Sequence, residues 1–281
     1  MKMNLSDSTL DHLREVVDLP DLTGTRYQID GEVGRGGLGV VYSALDSQLG
    51  RRVAIKVLDS PEEARVIANL EHPAIVPVYE AGTLPDGRAF YAMKLVEGAR
   101  LDRYLDGHRS ISECLRLIEK IGEALSFAHS RGVLHRDLKP QNVMIGRFGE
   151  VYVMDWGVAG IAGAPQFRAP EQGEGSVAEV DQRSDVYALG GLLAFVLPED
   201  APRAMKAIAA KAMRANPDDR YPLVSVMLLD LQRFQDGLAV EAFPESLWQK
   251  CWRFAVHNRV LLLLLAAYVA VRFILYFLRR V

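Results

Sequence analysis

Apolar residues first alternate along this chain in the manner of strands and later recur at helical spacing, so the pattern predicts strands ahead of helices. Tyr27 to Tyr42 alternates apolar and turn-forming residues as a hairpin does, and Arg51 to Leu58 supplies another strand. Ile75–Tyr79 and Ala89–Leu95 predict two more, joined across Pro85-Asp86-Gly87. Leu101–Leu105 and Ile111–Arg131 then read as helices. In the second, Cys114, Leu115, Ile118, Ile121, Ala124, Leu125 and Ala128 form a core stripe, and Gly132 ends it. Val143-Met144-Ile145 and Val151-Tyr152-Val153-Met154 make a small hairpin. Residues 1–24 form an extension with a short helix ending near Asp18, its apolar side Leu10, Leu13, Val16 and Val17. The pattern closes on Val260–Leu278, 19 residues that are nearly all apolar.

A chain of 281 residues can hold one large domain or two small ones with a sizeable core. Its formal net charge of −3 argues against a nucleic-acid partner, which needs a basic face. Cys114 and Cys251 lie far apart without metal-ligand spacing, so neither a disulfide scaffold nor a zinc site is indicated, and a reducing, cytosolic setting fits. Met1 to Leu19 has no apolar run of the secretory kind.

Chemistry concentrates in two short loops, His135-Arg136-Asp137-Leu138-Lys139-Pro140-Gln141-Asn142 and Asp155-Trp156-Gly157. Phosphoryl transfer is mostly positioning and charge neutralisation, and these loops hold what it requires. Asp137 would accept the hydrogen of an attacking hydroxyl, and Lys139 would neutralise charge growing on the transferred phosphate. Asn142 and Asp155 would hold Mg²⁺, a hard cation that prefers oxygen ligands. At these residues the sequence resembles the protein kinase family, specifically bacterial kinases of the eukaryotic-like Ser/Thr type. The first loop matches the family's catalytic loop. The second reads Asp-Trp-Gly where the family usually has Asp-Phe-Gly, and Trp156 keeps a large apolar ring.

Gly34-Arg35-Gly36-Gly37-Leu38-Gly39-Val40-Val41 is a glycine-rich turn whose amides can approach a phosphate without an intervening Cβ. A dinucleotide-binding turn reads similarly but requires a helix next, whereas here strands follow. Val53-Ala54-Ile55-Lys56 matches the family's phosphate-gripping lysine motif. The resemblance implies an ion pair between Lys56 and Glu63. The six residues 57–62 between them are fewer than the family usually has, so the helix bearing Glu63 must lack its first turns. Ser60 as N-cap with Pro61 at the first helical position would instead spend Glu63 on a capping box, and Glu62 is the alternative partner. The resemblance also implies an adenine pocket: Met93 at its rear, backbone hydrogen bonds from Lys94-Leu95-Val96, and Val41, Ala54 and Met144 around the ring.

Further matches are Ala169-Pro170-Glu171 and Ser184-Asp185-Val186-Tyr187-Ala188-Leu189-Gly190. They imply that Asp185 anchors the catalytic loop's backbone and that Glu171 pairs with Arg220. Val158 to Pro170 contains no Ser, Thr or Tyr. Many family members phosphorylate this loop, and the dianion pairs with the catalytic-loop arginine. The resemblance therefore implies that Arg136 lacks that partner. It also implies that Ala164 replaces a threonine that bonds the catalytic aspartate and lysine. Between Val196 and Ala207 there is little room for a substrate-docking helix.

Val260–Leu278 is close to the length that spans a bilayer. Arg272 costs about 2.5–3.5 kcal/mol on the insertion scale, and the thirteen Val, Leu, Ile and Phe residues return about 4–8 kcal/mol, so insertion wins. Trp248 and Trp252 would anchor the interface; a helix lying on the membrane or packed on a partner is the alternative.

These readings combine into an α+β bilobal kinase-like fold. They place an extension at 1–24, a β-rich small lobe at 25–98, a helical large lobe at 99–240, a juxtamembrane segment at 241–259 and a transmembrane helix at 260–278. The expected activity is ATP- and Mg²⁺-dependent phosphorylation of protein serine or threonine, from the cytoplasmic face of a membrane. The catalytic set is Lys56, Glu63, Asp137 and Lys139. The nucleotide set is Gly34, Gly36, Gly39, Val41, Ala54, Lys56, Met93, Lys94, Val96 and Met144, and the metal set is Asn142 and Asp155. A homodimer is left open. A pseudokinase acting as a nucleotide-binding or scaffolding module is the alternative, and Lys139 speaks against a small-molecule kinase.

Overall fold

The structure is a computed structural model that describes residues 19–36, 39–58, 61–104, 110–156, 165–173, 180–244 and 258–278. The predicted N-terminal helix, Gly37, Leu38, Ala164, Trp248 and Trp252 lie outside the described residues.

The small lobe is a five-stranded antiparallel sheet: β1 (Tyr27–Gly36), β2 (Gly39–Asp46), β3 (Arg51–Leu58), β4 (Val78–Thr83) and β5 (Ala89–Lys94), in the order β1-β2-β3-β5-β4. Side chains on a strand alternate between faces, and that alternation divides the lobe's apolar residues into two groups. Tyr42, Ala44, Val53, Ile55, Val57, Phe90 and Ala92 pack together on one face. Ala54, Leu58, Tyr91 and Met93 face the other way and join the main core. Lys56 shares this second face, since Val41 pairs with Lys56 and Lys56 with Tyr91 across the sheet.

Two predicted boundaries are corrected. The strand expected at Ile75–Tyr79 begins only at Val78. Pro77 has no amide hydrogen to give a ladder, and Ile75 makes an isolated bridge to Val153 instead. Helix α1 runs Glu62–Ala68, so Pro61 occupies the N-cap and not the first helical position expected of it, and it makes no side-chain capping bond; Ser60, the expected N-cap, lies outside the described residues. At seven residues α1 is short, as the brief gap after Lys56 requires.

The large lobe opens with β6 (Gly98–Arg100), α2 (Leu101–Tyr104) and α3 (Ile111–Ser130). A capping box starts α3, with Ser110 accepting from the Glu113 amide at 3.3 Å and Glu113 accepting from the Ser110 amide at 2.9 Å. The apolar stripe read from the sequence is buried along α3. β7 (Val143–Gly146) and β8 (Val151–Val153) complete a three-stranded sheet with β6. Helices α4 (Gln182–Val196), α5 (Arg203–Ala212) and α6 (Val224–Gln235) follow. Only residues 197–202 separate α4 from α5, which confirms the small room for a further helix there.

The last helix, α7, runs Arg259–Leu278 over 20 residues. Among the described residues no helix is long and apolar enough to cross a membrane. The side chains of α7 are described no further than Arg272, so the predicted span at 260–278 gains no support from them.

Candidate active site

Two backbone devices present the catalytic-loop side chains. The first is Asp185 on α4, which is buried. Its carboxylate accepts from the backbone amides of His135 at 2.8 Å and Arg136 at 2.9 Å, and from His129 Nε2 at 2.7 Å. Burial by itself would push this carboxyl up, but the His129 bond and the loop amides outweigh it and hold it below the usual range. The second is the β7–β8 ladder. Val143 pairs with Val153, and the Met154 amide donates to the Asn142 carbonyl at 2.8 Å, so Asn142 and Asp155 emerge side by side.

Arg136 and Asp155 adopt left-handed φ values of 65° and 53°. Each such residue costs on the order of 1–3 kcal/mol and persists where its surroundings fix it. Here those surroundings are the Asp185 bonds and the β7–β8 ladder. His135 is fully enclosed, and burial pushes its imidazole below the usual range. Its Nε2 donates to the Met154 carbonyl at 3.0 Å, so the ring is neutral with the hydrogen on Nε2. Trp156 is also fully buried, 4.9 Å from the His135 ring, and its Nε1 donates to the Val153 carbonyl at 3.2 Å. The indole thus fills an apolar site and satisfies the one donor a phenylalanine would lack.

The geometry brings the predicted polar residues together in two linked pairs. Lys139 Nζ lies 2.6 Å from Asp137 Oδ2, and Asn142 Nδ2 donates to the same oxygen at 3.1 Å and to the Asp137 carbonyl at 2.8 Å. Asp137 Oδ1 is buried with no hydrogen-bond partner among the described residues. Lys56 Nζ, only 3% exposed, lies 2.7 Å from Asp155 Oδ1. Glu63 sits on α1, but its side chain lies outside the described residues, so the expected Lys56–Glu63 pair does too. Among the described partners, Asp155 is the carboxylate on Lys56.

Ala54 and Met93 are cross-strand partners on the core-facing side of the sheet, with Val41 and Val96 packed against that core and Met144 half-buried. Lys94 Nζ meets the Tyr152 hydroxyl at 2.5 Å, a tie between the lobes that no sequence spacing announces, while the Lys94 amide donates to the Pro77 carbonyl within the small lobe. Gly34 and Gly36 pair with Val41 and Gly39 at the hairpin's end. Gly39 has φ +124°, and a Cβ there would collide with the Val57 carbonyl, so this turn requires glycine.

Beyond the loop, Arg220 donates to both oxygens of Glu171, at 2.7 and 2.8 Å, and Ser184 adds a bond at 2.7 Å. Burial would raise the Glu171 carboxyl, yet the Arg220 and Ser184 bonds hold it below its ordinary range. Gln172, which the sequence reading passed over, donates to the Arg136 carbonyl at 2.8 Å and accepts from the Ala169 amide at 3.0 Å.

A protein kinase domain model matches residues 27–260. The chain belongs to the protein kinase family. Among its protein kinase relatives, a probable serine/threonine-protein kinase of Streptomyces coelicolor is 33% identical over 79% of this chain and 42% of its own length. Serine/threonine-protein kinase PknD of Chlamydia trachomatis is 30% identical over 82% of this chain and 34% of its own. The chain thus spans less than half the length of these curated protein kinases. The crystal structure of the Mycobacterium tuberculosis PknI kinase domain superposes with a TM-score of 0.60, at 26% identity, covering 74% of this chain and 95% of that domain. The bilobal fold, a β-sheet lobe on a helical lobe, is that of the protein kinases.

Proposed function

We propose that the chain is a protein serine/threonine kinase that moves the γ-phosphoryl group of ATP to a protein hydroxyl. One observation carries the reading: Asp137 has one oxygen held by Lys139 and Asn142 while the other is buried with no hydrogen-bond partner among the described residues. A carboxylate held this way is fixed in orientation, and its spare oxygen calls for a donor. The hydroxyl of a serine or threonine is such a donor. Asp137 takes that hydrogen as the hydroxyl oxygen attacks phosphorus, and Lys139 offsets the negative charge that builds on the transferred group.

The remaining residues fit a nucleotide and its metal. The Asn142 amide nitrogen is spent on Asp137, which leaves its carbonyl oxygen, and Asp155 is 35% exposed. These are the oxygen donors that Mg²⁺ takes, and the ion supplies charge neutralisation at phosphate oxygens when bound. Gly34, Gly36, Gly39 and Lys56 would hold the phosphates. Val41, Ala54, Met93, Lys94, Val96 and Met144 would hold the base.

The decisive assay follows labelled γ-phosphate from ATP onto a generic protein. Asp137→Asn is expected to lower turnover about 10²–10⁴-fold, the range of a lost general base, with ATP binding retained. An exposed substitution such as Lys120→Gln is expected to leave turnover unchanged. A scaffold without catalysis would show no dependence on Asp137.

We infer that residues 260–278 tether this domain to a membrane, with the kinase lobes on the cytoplasmic side where ATP is found. The support is the apolar run itself, whose insertion gain exceeds the cost of Arg272. Val260, Leu263, Leu264, Leu265, Val269 and Val271 of α7 are each more than half exposed.

A further inference from the structure

Two arginines stand beside the catalytic loop with no carboxylate on either guanidinium among the described residues. We propose that Arg136 and Arg168 select a substrate peptide that carries an anionic side chain close to the acceptor serine or threonine. This deepens the protein kinase reading and rests on it.

The placement comes from Gln172. Its side-chain amide holds the Arg136 carbonyl at 2.8 Å and the Ala169 amide at 3.0 Å, and its own carbonyl accepts from Arg168 Nη2 at 2.9 Å. Arg168 is thereby strapped to the loop one residue from Asp137. Arg136 is exposed, and its backbone is locked by Asp185 and by the left-handed turn. Among the described residues, the acids nearest the pair are engaged elsewhere. Glu171 takes Arg220 and Ser184, Asp137 takes Lys139 and Asn142, Asp185 takes His129 and the loop amides, and Asp181 and Asp218 take Arg183. Residues 158–170 contain no Ser, Thr or Tyr, so no phosphate on those residues can fill the place. A guanidinium fork pairs with the planar face of a carboxylate or with phosphate oxygens, and Arg168 spends one nitrogen on Gln172 and keeps the rest.

The test uses the full chain and serine peptides in which one residue is moved through the positions flanking the acceptor. At each position glutamate is compared with glutamine, lysine and phosphoserine. The expected result is one position where glutamate or phosphoserine raises kcat/KM about tenfold over glutamine and lysine lowers it, an effect that shrinks as salt rises. The glutamate and phosphoserine arms tell a carboxylate reader from a phosphate reader. Arg168→Gln is expected to erase the preference while turnover of the glutamine peptide and the melting temperature hold, and Arg168→Glu to reverse it toward lysine. No position responding in the wild type, or an unchanged preference in both variants, overturns the proposal. Absence of turnover on every peptide would instead overturn the kinase reading, and this one with it.

Discussion

At the scale of single residues, Arg220 shows how much can depend on one guanidinium. Its side chain has no solvent exposure, and besides Glu171 it donates to the carbonyls of Arg183, Arg214 and Ala215. Arg220→Ala would leave Glu171 half-buried and charged with only Ser184 and backbone to answer it. Removing one partner of a buried pair costs about 3–5 kcal/mol, which should read out as a clear drop in the urea midpoint. Arg220→Lys should recover little, because an ammonium cannot fork to both oxygens. An unchanged midpoint in the alanine variant would show that the pair is idle. Glu171, Arg220 and Asp185 were legible in the sequence because each sits inside a matched motif. Gln172 and the Lys94–Tyr152 bond were not. Partners that lie 36 and 58 positions apart leave no periodicity behind.

At the scale of elements, the catalytic loop is a strap fastened at His135, Arg136 and Asn142, and His135, Asp185 and Glu171 make its stability depend on pH. Burial lowers His135, so in acid the unfolded chain takes up a proton near pH 6.5, its ordinary value, that the folded loop refuses. Asp185 and Glu171 are also lowered, so nearer pH 4 the unfolded chain again binds more protons than the native one. These three groups act in the same sense: their contribution to stability is full at neutral pH and falls stepwise as the medium is acidified. Melting temperatures recorded from pH 8 down to pH 4 should decline first through the histidine range and then through the carboxylate range. A midpoint that climbs on acidification would refute this. The strands and α3 were read closely from the sequence because alternation and an apolar stripe mark them directly. The start of β4 was not, because Ile75 and Val76 are buried by contacts outside any ladder of their own.

At the scale of the whole molecule, the division into a sheet lobe and a helical lobe was visible in the switch from alternating to helical spacing. The tail is the part where pattern and structure stand furthest apart. If residues 260–278 insert, the full chain should float with phospholipid vesicles and resist extraction by high salt. Placing aspartates at Leu264 and Val269 should send it to the soluble fraction, since each charge near a helix centre costs about 2.5–3.5 kcal/mol. A chain that stays with the vesicle-free fraction before any substitution would end the tether account.

The Val153 amide reaches the Ala74 carbonyl at 2.8 Å, and next to it the Tyr152 hydroxyl holds Lys94 at 2.5 Å. Both grips come from one strand of three residues, and the Lys56–Asp155 pair adds a third tie just beyond its end. A single substitution on β8 therefore reaches two of these three ties between sheet and helices at once.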